Sequence, residues 1–158
     1  MTFADLLTQR ISQAAELYYR LILVVAPAGK GKTRLLKEVH KHTGAPLLNL
    51  NLELSRRMLD LTERRRVLQL PRLLSEIVDM SPSDVVLLDN TEILFDVMLK
   101  QDPLRLLQGI SRNRIIVASW NGTIDNGYLT YAAPEHHEYR RYAVHDFLVV
   151  NLDSVPGR

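Results

Sequence analysis

The chain has no cysteine. That excludes a disulfide framework, a thiolate metal site and a cysteine nucleophile. Long hydrophobic runs are missing too: nothing approaches the roughly 18 consecutive apolar residues of a membrane span. The start, MTFADLLTQR, carries Asp5 and no apolar segment ending in a small-residue cleavage site. It does not read as a secretory signal, so a cytoplasmic location without membrane attachment is expected. Repeats and low-complexity tracts are absent. Aromatic residues make up only 6%, and few interleave with the basic clusters. Neither sign of charge dominates, with 20 Lys and Arg against 18 Asp and Glu. What remains is 158 residues, 46% of them hydrophobic, enough for one domain over residues 1–158 with a buried core.

The apolar pattern alternates between two periods. Leu7, Ile11, Ala14 or Ala15, and Tyr18 fall at helical spacing, so a helix is expected over 3–18. Residues 21–25 are continuously apolar, as in a strand buried on both faces. A helix over 32–42 should stop at Gly44, with Pro46 beyond it. LLNLNLEL at 47–54 places Leu48, Leu50, Leu52 and Leu54 at period two, which predicts a second strand. Helical sequence follows from Ser55 to Met80, with Pro71 expected to divide it. Further strands are expected at 84–89, 114–119 and 147–152. Between them lie a helix over 92–100, a short helix capped by Asp102-Pro103, and an irregular stretch over 121–145. Strands alternating with helices predict an α/β fold in three layers around a mostly parallel five-stranded sheet.

Between the first strand and its helix stands Ala26-Pro-Ala-Gly-Lys-Gly-Lys-Thr33. It satisfies the phosphate-loop pattern, Gly or Ala followed by four residues and Gly-Lys-Ser/Thr. Ala28, Gly29, Lys30, Gly31, Lys32, Thr33 and Arg34 are the expected binding residues. The glycines let backbone N–H groups turn inward, and the positive end of the helix adds to them. In this pattern the lysine reaches the β- and γ-phosphates and the threonine hydroxyl ligates Mg²⁺. The expected ligand is Mg·ATP. The metal needs a second oxygen ligand, and Asp89, ending VVLLD, is the candidate. The same residue also reads as a helix N-cap, but the four apolar residues before it favour the metal role.

APAGKGKT resembles the AAA+ phosphate loop, with Ala26 and Lys30 as departures. Together with NLNLELSRRML, VVLLDNTEILFD and WNG…GYLTYAAPEHHEYRRY, it resembles the BrxF family, small P-loop proteins of type 3 BREX systems. The resemblance implies an AAA+-like core without the helical lid, for which no residues remain after 152. It also implies ATP binding in phage defence beside larger BREX proteins that modify and handle DNA, without implying a known reaction. AAA+ enzymes usually place Glu after the metal-binding Asp. Here the position is Asn90, which orients water but accepts no proton. Glu92 is the substitute base, or a first-turn acid favoured by the helix dipole. Asn121 is expected in the sensor role at the fourth strand's tip, with Ser119 second and a plain Asn-Gly turn as the alternative. Slow hydrolysis is expected of a lone subunit. Arg140 and Arg141, before the last strand, are candidates for a finger reaching a neighbour's γ-phosphate in a homo-oligomer.

Two clusters remain. Arg56, Arg57, Arg64, Arg65, Arg66 and Arg72 lie against Asp60 and Glu63. They read as a DNA-binding or acidic-protein surface, or as a solvated helical face. Glu135-His136-His137-Glu138 lacks an i, i+4 histidine pair and reads as a polar loop rather than a metal site. Two other functions stay open: a small-molecule kinase, with Glu53 as acceptor-binding acid, and a nucleotide switch that binds without hydrolysing or a purely structural subunit.

Overall fold

The computed structural model describes residues 1–29, 31–131 and 140–154, Arg140 by its backbone alone. Lys30 and the cluster at 135–138 lie outside the described residues. Five strands run parallel: β1 (Leu21–Ala26), β2 (Leu47–Asn49), β3 (Val85–Asp89), β4 (Ile115–Asp125) and β7 (Leu148–Asn151), in the order β2-β3-β4-β1-β7. Helices α1 (Phe3–Ala14) and α2 (Lys32–Thr43) cover one face. There Leu7, Leu36 and Val39 pack on Ile22, Val24 and Val117. On the other face lie α3 (Leu50–Met58), α4 (Glu63–Asp79) and α5 (Pro103–Ile110), where Leu54, Leu74 and Leu107 pack on Leu23, Val25 and Leu88. The fold is therefore α/β in three layers around a mostly parallel sheet. Every residue of β1 is buried, which is why that strand reads as an unbroken apolar run. Among the described residues no helix is long and apolar enough to cross a membrane.

Four expected elements differ. The strand at 47–54 ends after Asn49, whose side chain caps α3 by accepting the Leu52 N–H at 3.1 Å. Leu50, Leu54 and Met58 are buried while Leu52 is 50% exposed. The Leu positions four apart face the core, and the period-two pattern was half of a helical one. Pro71 does not divide the next helix; the break falls before Thr62, and Pro71 sits inside α4. A proline ring leaves the carbonyl four residues back without its N–H donor. That carbonyl is Val67 O, and Gln101 Nε2 donates to it at 2.9 Å. The helix expected over 92–100 is two 3-10 turns, Thr91–Phe95 and Val97–Leu99.

The irregular stretch after 121 is the fourth difference. There β4 continues to Asp125 and pairs antiparallel with β5 (Tyr128–Tyr131), which pairs with β6 (Arg140–Ala143). Much of the scarce aromatic content collects under this ribbon. Phe95 stacks on Tyr131 with ring centroids 3.5 Å apart, and Trp120 meets Phe95 edge-on at 4.8 Å. Trp120 Nε1 donates to Thr130 O at 3.0 Å. The ribbon, the first 3-10 turn and the tip of β4 are thereby held as one body.

Candidate phosphate site

The loop after β1 turns on two glycines in the left-handed region, Gly29 at φ 76 and Gly31 at φ 93. A Cβ at either position would meet no atom within 4 Å, so the cradle is open and the backbone conformation is what demands glycine. Gly31 is the N-cap of α2 and uses no side-chain cap, which leaves the first N–H groups of the helix directed at the cavity. That cavity, about 530 Å³, is lined by Ala28, Gly29, Gly31, Lys32, Thr33, Arg34, Lys37, Asp89, Asn90, Glu92 and Asn121. The structure thus brings every described binding candidate of the loop together with Asp89, Glu92 and Asn121.

Sheet order explains how residues so far apart in sequence meet. The tip of β4 stands between the loop strand β1 and the acid strand β3. Thr33 Oγ1 donates to Asp89 Oδ2 at 2.6 Å, and Asp89 Oδ1 accepts the Asn90 N–H at 2.9 Å. Asp89 ends its strand facing the loop threonine, while the 3-10 turn after it begins without a side-chain cap bond. A threonine hydroxyl beside a carboxylate is a hard-oxygen donor pair. It fits Mg²⁺, which binds through one or two such ligands and otherwise keeps water and phosphate oxygens. Among the described residues no group of three or more His, Cys, Asp or Glu side chains forms a metal cage.

Lys32 is buried, and its ammonium donates to Ala26 O at 3.0 Å and Pro27 O at 2.9 Å. Two of its three N–H bonds are therefore fixed within the loop, and one remains to meet an anion. Burial pushes its pKa below the usual lysine value, against the opposing pull of Glu92, Asp89 and Asp153. Asn90 lies at φ 55. Asparagine tolerates the left-handed region better than glutamate does, which supplies a backbone reason for this residue after Asp89. Asn121 Nδ2 donates to Glu92 Oε1 at 2.7 Å. Thr91 Oγ1 donates to Ser119 O, which pins the turn carrying Glu92 to β4. Ser119 is buried, its hydroxyl without a partner among the described residues, and it does not line the phosphate cavity.

Other candidates lie elsewhere. Arg141, in β6, places its guanidinium 3.9 Å from the centre of the Tyr128 ring on the ribbon. Glu53 is a residue of α3 that pairs with Arg57 at 2.6 Å and does not line the cavity. The arginines of residues 56–72 divide: Arg57 turns to Glu53, Arg72 pairs with Glu76 at 3.4 Å, Arg66 is half-buried, and Arg56, Arg64 and Arg65 are exposed. Lys37 lines the cavity although sequence reading did not single it out. Its signal was present, one helical turn after Thr33 on the same face of α2.

No family model matches the chain, and no curated protein matches it. Among solved structures, C. elegans PCH-2 is similar, with 21% identity and a TM-score of 0.43 over 78% of this chain and 37% of that one. The chain thus spans little more than a third of that protein's length.

Proposed function

We propose that the chain binds Mg·ATP and hydrolyses it slowly, as an accessory component of a BREX phage-defence system. The observation that carries the nucleotide reading is the 2.6 Å contact between Thr33 and Asp89, 56 residues apart, at the mouth of the loop holding Lys32. Gly29, Gly31 and the first turn of α2 offer N–H groups to phosphate oxygens, and Lys32 offers its remaining proton. Thr33 and Asp89 would hold Mg²⁺, which when bound neutralises charge on the β- and γ-phosphates. Asn121 fixes Glu92 by one carboxylate oxygen and leaves the other for the proton of an attacking water. Asn90 takes no proton, so Glu92 is the base of this site. The BREX assignment is supported by the resemblance of four sequence blocks to the BrxF family. Defence partners, homo-oligomerisation with Arg140 or Arg141 acting in trans, and DNA contact through Arg56, Arg64 and Arg65 belong to the same proposal.

Titration calorimetry with Mg·ATP tests the binding: wild type should bind and Lys32→Ala should lose at least ten-fold in affinity. Equal affinity in both removes the nucleotide reading. Turnover measured against protein concentration, with and without duplex DNA, tests the rest. A steep rise with concentration supports a shared site, and Glu92→Gln should abolish turnover while preserving binding. Binding with no turnover at any concentration favours the switch.

A further inference from the structure

One side of α4 buries Leu70, Leu73, Leu74 and Ile77. Its opposite, exposed side carries Arg64, Leu68 and Arg72 four residues apart, with Arg65 beside them. Leu68 stands at the centre of these arginines and is 70% exposed. Arg72 pairs with Glu76, whereas Arg64 and Arg65 have no ion pair among the described residues. A single exposed leucine is ordinary by itself. What gives this one meaning is that the same molecule carries its complement.

The complement is a groove of about 570 Å³ between α3, the start of α4, the 3-10 turns and β5. Its floor is apolar and buried, formed by Met58, Leu99 and Tyr131. Leu59 lines it from the rim and is 73% exposed. The turn that supplies Asp96 and Leu99 also leaves Val97 and Met98 in solvent. Two carboxylates, Glu92 and Asp96, line the groove against one arginine, Arg66. Asp96 is exposed, and only its Oδ1 is engaged, accepting the Met98 N–H at 2.9 Å. The excess of acid favours a cationic occupant, and the floor favours an apolar one. An apolar side chain flanked by arginines meets both demands.

We infer that this groove docks a second copy of the chain, which lays Leu68 over Met58, Leu99 and Tyr131 and sets Arg64 and Arg65 against Asp96 and Glu92. Leu68 lies about 160° round the helix from Arg66, at 100° per residue. A chain therefore cannot fill its own groove, and both surfaces stay available at once. The contact joins unlike surfaces, so its repetition closes a ring or continues as a filament. It rests on the homo-oligomer part of the reading above and deepens it by naming the two faces; it needs no nucleotide. A DNA duplex would use the arginines and leave Leu68 and the groove without a role, which favours the protein partner.

The test is sedimentation velocity on the full chain without nucleotide or DNA. One helix face makes a small interface, so the range runs from about 5 to about 500 μM. Wild type should sediment faster as concentration rises. Leu68→Asp, Asp96→Arg, and Arg64→Asp with Arg65→Asp should each weaken association about ten-fold or more. All four positions are exposed, and thermal melts confirm that each variant folds. Asp96→Asn keeps an acceptor for the Met98 N–H and should weaken association less than Asp96→Arg. The decisive sample is an equimolar mixture of Asp96→Arg with the double arginine variant. Each is repelled by its own kind, and the mixture should associate again because both contacts regain opposite charges. A wild type that stays monomeric throughout overturns both this interface and the homo-oligomer reading. Association indifferent to Leu68→Asp, or a mixture that fails to associate, overturns this interface and leaves the homo-oligomer standing. An arginine variant that associates normally but loses duplex DNA in an anisotropy titration assigns the face to DNA and overturns the proposal.

Discussion

Gly122 is the position where one methyl group should do the most damage. It lies on β4 opposite Tyr131 in the antiparallel register. A Cβ there would stand 1.7 Å from Thr130 O, 2.8 Å from Thr130 C and 3.1 Å from Trp120 Nε1. Two of these neighbours are backbone atoms, so β5 would have to retreat by more than about 1 Å, a shift that a close-packed ribbon resists. That carbonyl also accepts the Trp120 indole N–H, so the hydrogen bond would go with it. Overpacking costs about 1–3 kcal/mol and the lost bond about 1 kcal/mol. Gly122→Ala should therefore lose about 2–4 kcal/mol, which for a chain of this size lowers Tm by about 5–15 °C. The damage should also be directional. Asn121 is the adjacent residue and holds Glu92, so turnover should fall more than nucleotide affinity does. Gly109→Ala is the control: in α5, with no atom within 4 Å of its Cβ, it should be neutral or stabilising by up to about 1 kcal/mol. Thermal melts and ATP turnover on both variants decide the matter. A Gly122→Ala protein melting within about 1 °C of wild type with normal turnover would refute the packing argument, since the predicted loss is several times larger.

Three further predictions follow from the same geometry. Gln101→Ala should cost about 1–2 kcal/mol in urea unfolding, because the Val67 carbonyl orphaned by Pro71 loses its donor; the loss should shrink in a Pro71→Ala background. Arg114 donates to Val78 O, Ser81 O and Ser83 O at 2.8–3.2 Å and pairs with Asp79. Arg114→Met should destabilise by about 2–3 kcal/mol, with no effect on nucleotide affinity measured by calorimetry. Burial lowers the Lys32 pKa, so on raising pH the folded chain releases that proton before the unfolded chain does. Stability of wild type relative to Lys32→Met should therefore rise with pH over the window between the lowered value and the ordinary 10.5. Nucleotide affinity should fall over the same window, and a flat stability difference would contradict the burial of the ammonium.

The elements legible in sequence are those whose cause is local. β1 shows as an apolar run because both faces are covered, and Gly44 ends α2 in the left-handed region. Asp102 caps α5 with Pro103 at its first position, as the dipeptide indicates. Where reading failed, the deciding contact was remote. LLNLNLEL satisfies a strand pattern and a helix pattern, and only the core against Leu50 and Leu54 chooses between them. Pro71 normally divides a helix, but Gln101, thirty residues on, supplies the donor that lets it stay.

The site divides along the same line. The phosphate loop, its glycines, Lys32 and Thr33 are contiguous, and their chemistry is written in eight residues. Asp89 was readable as the end of an apolar run. Its oxygen within hydrogen-bond distance of Thr33 depends on the sheet order, which no local pattern encodes. The pairing of Asn121 with Glu92 depends on the order as well, since it requires the tip of β4 beside the turn that follows β3. Sequence by itself determined that a glycine-rich loop of the phosphate-loop pattern joins the first strand to its helix. Tertiary structure decided which carboxylates face that loop, Asp89 and Glu92, because parallel strands bring distant residues to a common edge only after the sheet is ordered.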